Sequence, residues 1–140
     1  EAGKPLLGIC LGMQLLLEKS FEYGEHKGLG LIPGEVRPIR EVIPEGLKVP
    51  HIGWNALALT QEGRACGLFK NTKEGDCVYF VHSYWAASPA PYVLAAAEYG
   101  APLTAAVGRG NVLGVQFHPE KSGSVGLAIL RAFCETEVGG

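Results

Sequence analysis

Apolar positions along this chain come in short runs, each closed by Gly, Pro or a polar cluster. The run Pro5-Leu6-Leu7-Gly8-Ile9 reads as the end of a buried strand. Leu11, Leu15, Leu16 and Leu17, with Glu18 and Lys19, predict a helix that ends near Ser20. The polar, Gly-bearing stretch from Glu22 to Gly30 predicts a loop. Leu29-Gly30-Leu31-Ile32 and Glu35-Val36-Arg37-Pro38-Ile39 are short and interrupted, which suits edge strands. A turn at Pro44 to Gly46 leads into Lys48 to Asn55 and then a strand, Ala56-Leu57-Ala58-Leu59. In the mixed stretch from Thr60 to Gly75, Leu68 and Phe69 predict a short helical turn. Cys77-Val78-Tyr79-Phe80-Val81 and Tyr92 to Ala97 read as strands. Leu103 to Val107 and Val112 to Phe117 read as a hairpin turning at Gly108-Arg109-Gly110-Asn111. Val125, Leu127, Ala128, Ile129, Leu130, Ala132 and Phe133, with polar residues between, predict a final helix capped by Ser122 or Ser124. The pattern is that of one α/β domain with a large antiparallel share in its middle.

Composition narrows the class. Of 140 residues, 47% are hydrophobic and 19% charged, the profile of a globular chain. A net charge of −2 leaves no electrostatic footprint for nucleic acid or an anionic membrane. Cys10, Cys66, Cys77 and Cys134 stand singly, with no zinc-type spacing, which favours free thiols in a reducing compartment. No apolar run approaches the ~20 residues of a membrane span, and no signal-peptide pattern is present, so a cytoplasmic location is expected. The chain starts at Glu1 and reaches its first strand almost at once, as the back portion of a longer chain would.

The candidate chemistry begins at Gly8-Ile9-Cys10-Leu11-Gly12-Met13-Gln14. A cysteine with Gly at −2 and +2, at a strand-to-helix turn, is the thiol counterpart of the G-x-S-x-G nucleophile elbow. Its backbone is expected to be strained, and a Cβ at either Gly to crowd helix against strand. The helix N-terminus is expected to favour thiolate over thiol. Otherwise Cys10 is a small buried apolar residue, as most free cysteines are. His118-Pro119-Glu120 follows a strand, as Cys10 does. In a parallel or mixed sheet the strand ends share one edge, where sites collect. There Glu120 could hold the His118 tautomer and steady its imidazolium. Alternatively His118 closes a strand and Glu120 begins a solvated turn.

Together with Gln116-Phe117-His118-Pro119-Glu120, the elbow resembles the glutaminase domain of class I (triad-type) glutamine amidotransferases, through essentially the whole chain. Lys48-Val49-Pro50-His51-Ile52-Gly53-Trp54-Asn55, Tyr79 to Tyr84 and His118 to Gly123 are similar to the branch serving imidazole glycerol phosphate synthesis, in histidine biosynthesis. The fold this implies is a flavodoxin-like three-layer α/β sandwich with a mixed sheet, here without its N-terminal strands, residues 1–140 forming the C-terminal two-thirds of one glutaminase domain. The resemblance implies that Cys10 attacks the side-chain amide of L-glutamine. His118 protonates the leaving ammonia and then activates water against the thioester, while Glu120 orients His118. It also implies an oxyanion donor at Leu11 N–H and substrate contacts at Gln14, Glu22, His82, Ser83 and Tyr84. Pro50, His51, Trp54 and Asn55 would form the docking face for a (β/α)8-barrel cyclase that receives the ammonia. The thiol route calls for neither metal nor organic cofactor. Family members carry early strands and a Gly-rich oxyanion segment ahead of the elbow, so this piece alone is expected to be poorly active. The competing readings are the glutaminase of anthranilate or GMP synthesis, a dead remnant that docks on and regulates a barrel, and an unrelated cysteine hydrolase.

Overall fold

The computed structural model describes residues 4–22 and 24–139, with side chains described to residue 135. Its first strand, β1 (Leu6–Ile9), is short and passes straight into helix α1 (Leu11–Leu15). Two short strands follow, β2 (Lys19–Ser20) and β3 (His26–Lys27), then β4 (Glu35–Pro38). Next come β5 (His51–Ala56), β6 (Ala58–Leu59), helix α2 (Gln61–Ala65) and a helical turn at Gly67–Phe69. Strands β7 (Cys77–His82), β8 (Tyr84–Ala87), β9 (Val93–Glu98), β10 (Pro102–Arg109) and β11 (Val112–Val115) complete the sheets. The chain ends in the long helix α3 (Gly123–Gly139).

The principal sheet has the order β1-β11-β10-β9-β6; a second runs β3-β2-β4-β8, and β5 pairs with β7. Pairing is parallel between β1 and β11 and between β2 and β4, and antiparallel elsewhere. The fold is thus α/β with mixed sheets, as the pattern of apolar runs implies. Its largest core cluster packs Phe80, Phe117, Leu57, Leu68 and Ile129. A second gathers Met13, Leu16, Leu17, Ile32 and Val36 under α1. Among the described residues no helix is long and apolar enough to cross a membrane.

Two local expectations fail for one reason. Helix α1 stops at Leu15 rather than near Ser20, and Leu29 to Ile32 is not a strand. Instead this second segment donates its N–H groups to the carbonyls that end the helix. Leu29 N bonds Leu15 O at 2.8 Å, Leu31 N and Ile32 N bond Leu16 O at 2.9 and 3.0 Å, and Gly30 N bonds Leu17 O at 3.0 Å. Orphan carbonyls at a helix end need such partners, and a segment spent on them has no donors left for a ladder. Ser122 likewise stands where a cap was expected, and its carbonyl accepts from Gly126 N. Its hydroxyl serves another purpose: it accepts from Tyr79 N at 3.0 Å and donates to His118 O at 2.6 Å.

The elbow itself is tight on one side only. A Cβ on Gly8 would sit 2.6 Å from Gly12 O and 2.8 Å from Met13 N, so helix and strand touch backbone to backbone there. A Cβ on Gly12 would meet nothing within 4 Å, which corrects the expectation that both glycines are needed for clearance. Gly8→Ala is therefore expected to destabilise the protein by about 1–3 kcal/mol or more, the usual cost of overpacking. Gly12→Ala, inside a helix, is expected to leave stability unchanged or raise it by about 0.5–1 kcal/mol. Urea denaturation of the two variants tests the contrast, and equal losses would contradict it.

Candidate active site

Cys10 has φ 55° and ψ −109°, a positive φ found at no other described non-glycine residue. Such a conformation costs on the order of 1–3 kcal/mol and persists only where neighbours over-determine it. Here they do: Cys10 N donates to Val115 O at 2.8 Å, extending the parallel ladder by one bond, and Gln14 N donates to Cys10 O at 3.2 Å. The strained turn expected of a nucleophile elbow is thus present.

The thiol is not poised as a thiolate. Burial pushes it above its ordinary value, and the negative charges of Glu120 and Glu22 add to that rise. A hydrogen bond from Leu11 N–H and one from Gln116 Nε2, at 3.7 Å from the sulfur, act in the opposite sense without overcoming it. With a five-residue helix behind it, the N-terminus offers less to an anion than the sequence suggests.

Beside the sulfur lies an open cavity of about 320 Å³, at the small end of the roughly 300–1,000 Å³ typical of small-ligand sites. Cys10, Leu11, Gln14 and Glu22 line it together with Pro50 and the stretch Val81, His82, Ser83 and Tyr84. Every residue expected to contact substrate is therefore on this cavity. Gln14 is held rather than free: Nε2 donates to Tyr84 O at 3.2 Å and to Gln116 Oε1 at 3.1 Å. Burial also drives His82 down to about 4, so its ring is neutral at pH 7.

His118 follows β11, whose end lies beside that of β1. Beyond Val115 the strand continues as Gln116 N→Ala105 O at 2.8 Å, using a carbonyl freed by a bulge in β10. His118 N then bonds Tyr79 O at 3.0 Å, and Ser122 staples the same turn to Tyr79. Its Nδ1 lies 2.8 Å from Glu120 Oε2, so Nδ1 carries the proton and Nε2 the lone pair of the neutral ring. For Glu120, burial raises the carboxyl, but its own backbone N–H, the His118 bond and the charges of His118 and Lys121 hold it below the usual range. His118 and Glu120 do not line the cavity. Among the described residues the hydrogen-bond donors to the sulfur are Leu11 and Gln116. The parallel pairing of β1 with β11 nonetheless brings the strand ends that lead to Cys10 and to His118 to one edge of the sheet.

The expected docking block divides in two. Strand β5 alternates, with Ile52 and Trp54 58% and 56% exposed while His51 is 1% exposed. His51 is thus not an outward anchor; it stacks between Phe80 and Tyr99, centroids 5.0 and 4.1 Å away. Pro50 faces the cavity, and half-buried Asn55 bonds His51 at 2.8 Å and Glu98 O at 3.0 Å. Only Trp54 of the four presents a large exposed side chain. The residue that sequence reasoning missed is Gln116, fully buried in an otherwise apolar strand. That anomaly was the available signal, since a buried amide needs partners. Among the described residues no three His, Cys, Asp or Glu side chains converge as a metal site.

A strained elbow at Cys10 and the His118-Pro119-Glu120 turn thus follow adjacent parallel strands of one α/β sheet. The chain belongs to the class-I glutamine amidotransferase family, whose model matches residues 1–136. Among curated proteins it is 56% identical over 133 residues to the imidazole glycerol phosphate synthase subunit HisH of Lacticaseibacillus casei (strain BL23). It is 55% identical over 134 residues to the HisH of Streptococcus gordonii (strain Challis). Each alignment covers 95% of this chain and 61% of the relative, so the chain spans about three-fifths of their length. The PurLQS structure from Thermotoga maritima superposes with a TM-score of 0.69 at 18% identity, covering 96% of this chain and 63% of that one, and shares its fold.

The thiol environment has a measurable consequence. Alkylation of Cys10 by iodoacetamide is expected to accelerate with pH, with a midpoint above that of an ordinary cysteine. Gln116→Leu removes a stabilising donor and should move the midpoint further up, whereas Glu22→Gln removes an opposing charge and should move it down. Shifts of the reverse sign would overturn this account of the site.

Proposed function

We propose that this chain is the C-terminal two-thirds of a glutaminase domain, carrying its Cys10, His118 and Glu120 triad, that hydrolyses L-glutamine to glutamate and ammonia for imidazole glycerol phosphate synthesis. The observation that carries the reading is the cavity that joins Cys10 to Gln14, Glu22 and the His82 to Tyr84 wall. It is of a size for one amino acid and opens beside the sulfur.

In this reading Cys10 Sγ attacks the substrate carboxamide carbon, forming a C–S bond. The thiol proton passes to His118 Nε2, the nitrogen that the Glu120 bond leaves with a lone pair. Leu11 N–H, already directed at the sulfur, stabilises the oxyanion as charge moves to oxygen. His118 then protonates the amine, ammonia leaves, and a thioester remains. Water, deprotonated by the same nitrogen, attacks that thioester, releases glutamate and restores the thiol. A raised resting thiol fits this order, because proton transfer then accompanies attack instead of preceding it. Glu22 is suited to the substrate α-ammonium, and the backbone from His82 to Tyr84 to its carboxylate end.

The proposed recipient of ammonia is a cyclase of (β/α)8-barrel type, docked on the outward face of β5, with the complex in the cytoplasm. Trp54 supports this face: it is 56% exposed and braced edge-on by Tyr79 at 5.9 Å, as a rigid aromatic anchor would be.

Two experiments follow. Incubation of the protein with a glutamine-mimicking electrophile should label Cys10, and Cys10→Ser should abolish both labelling and glutamine hydrolysis. Hydrolysis that survives in Cys10→Ser would defeat the assignment. Trp54→Ala should weaken cyclase binding by on the order of tenfold or more, a hot-spot loss, with the melting temperature retained. Unaltered affinity in a titration with purified cyclase would remove Trp54 from the interface.

A further inference from the structure

The hydrogen bonds that begin at the thiol do not end at Gln14. Tyr84 O, which accepts from Gln14 Nε2, also lies 2.9 Å from His82 Nδ1. His82 Nε2 is 3.0 Å from His51 Nδ1, and His51 Nε2 is 2.8 Å from Asn55 Oδ1. Asn55 Nδ2 then donates to Glu98 O at 3.0 Å. A continuous polar thread therefore crosses the core from Cys10, through Gln116 and Gln14, to the exposed strand β5.

Proton counting along this thread gives a constraint. Tyr84 O and Asn55 Oδ1 are both acceptors, and between them stand two imidazoles making three contacts. Each contact needs one hydrogen, and two neutral imidazoles supply only two. All three are satisfied when one ring is an imidazolium. With two hydrogens, His82 Nδ1–H serves Tyr84 O, His51 Nδ1–H serves His82 Nε2, and His51 Nε2 turns a lone pair on Asn55 Oδ1. The conflict is relieved at least cost by turning the Asn55 carboxamide. Its Nδ2 then donates to His51, and the Glu98 bond, on the solvent side, is replaced by water.

We propose that His51 is a positioning residue for the thiol site, and that one proton on the His51–His82 pair sets which way the Asn55 carboxamide faces. The groups around the pair bear this out in sign. Phe80 and Tyr99 sandwich His51, and the Tyr99 hydroxyl is spent on Lys48 O at 2.6 Å. Glu98 presents its carbonyl to Asn55 Nδ2, while Cys10 and Glu22 line the same cavity as His82. Burial lowers both rings, His82 to about 4, and the Asn55 bond pulls His51 back up. As pH falls the additional proton therefore enters at His51 Nε2, and it leaves as pH rises.

The test is a pH series of long-range proton–nitrogen spectra on the purified protein carrying ¹⁵N-histidine, with Cys10 alkylation measured in parallel. His82 should hold the Nδ1–H tautomer at neutral pH. His51 should gain Nε2–H on acidification, with the Asn55 side-chain amide shifting at the same midpoint. Asn55→Asp should raise that midpoint by on the order of one to two pH units, because a carboxylate favours the cation; Asn55→Ala should lower it. The Cys10 alkylation profile should inflect at the His51 midpoint and follow it in both variants. An Nε2–H tautomer at His82, a midpoint indifferent to Asn55, or an alkylation profile without the inflection would each overturn the proposal. The role in turnover rests on the glutaminase reading. Labelling of Cys10 by the glutamine-mimicking electrophile is therefore assayed separately, and its absence would sink that reading while these spectra still decide this one.

Discussion

The parallel pairing of β1 with β11 is the constraint on which the site depends. Leu6, Leu7, Gly8 and Ile9 lie opposite Val112, Leu113, Gly114 and Val115, so both strands run toward the same edge. A parallel neighbour cannot be made by a tight turn; here residues 10–111 intervene. What that long closure achieves is placement. One strand delivers the sulfur at its end, and the other, extended by Gln116 N to the bulged Ala105 carbonyl, delivers the imidazole at its own. The register is also what lets the helix lie close, because Gly8 opposes Gly114 and both face α1. A Cβ on Gly114 would strike Met13 Cγ at 2.5 Å, and one on Gly8 the Gly12 carbonyl.

Around that edge the fold tolerates features that weaken a core elsewhere. Cys10 adopts a disfavoured backbone, and Gln14, Gln116, His51 and His82 bury polar side chains. A buried amide without partners costs a few kcal/mol, whereas a fully connected set fixes one arrangement. Gln14 gives both amide hydrogens, Gln116 uses both ends of its amide, and the two imidazoles face each other. The polar residues therefore act as a frame that orients the thiol, while Phe80 and Phe117 supply the apolar packing beside it.

How much of this could be read from sequence follows the range of the interactions. The elbow, the His-x-Glu turn and the hairpin were legible because each is encoded within a few residues. Cavity membership of Gln14, Glu22 and the His82 to Tyr84 stretch was legible only through family resemblance, since those residues meet by tertiary contact. The truncated α1 and the missing strand at Leu29 to Ile32 were not legible: propensity favours helix and strand, and what decides is which carbonyls the loop's N–H groups reach. The thiol's raised proton affinity was hidden for the same reason, because burial and the charges of Glu120 and Glu22 come from folding, not from the local turn. His51 was expected at the surface beside Trp54; a strand's period of two assigns it inward, and only the partner strand shows what it meets there.

That alternation also ties the two faces of β5 into one device. Ile52 and Trp54 point outward, where a docked protein would press, and His51 and Asn55 point inward, toward the frame that holds the thiol. Adjacent residues on one strand share a backbone, so the placement of one face of β5 fixes that of the other. The antiparallel register extends this to β7, which sets His51 against His82 and Trp54 against Tyr79. His82 belongs to the cavity wall and Tyr79 carries the backbone bond that fixes His118. Were a partner to dock on the outer face of β5 as proposed, this two-stranded ribbon would join its contact to the cavity lining by way of His82 and to the His118 turn by way of Tyr79.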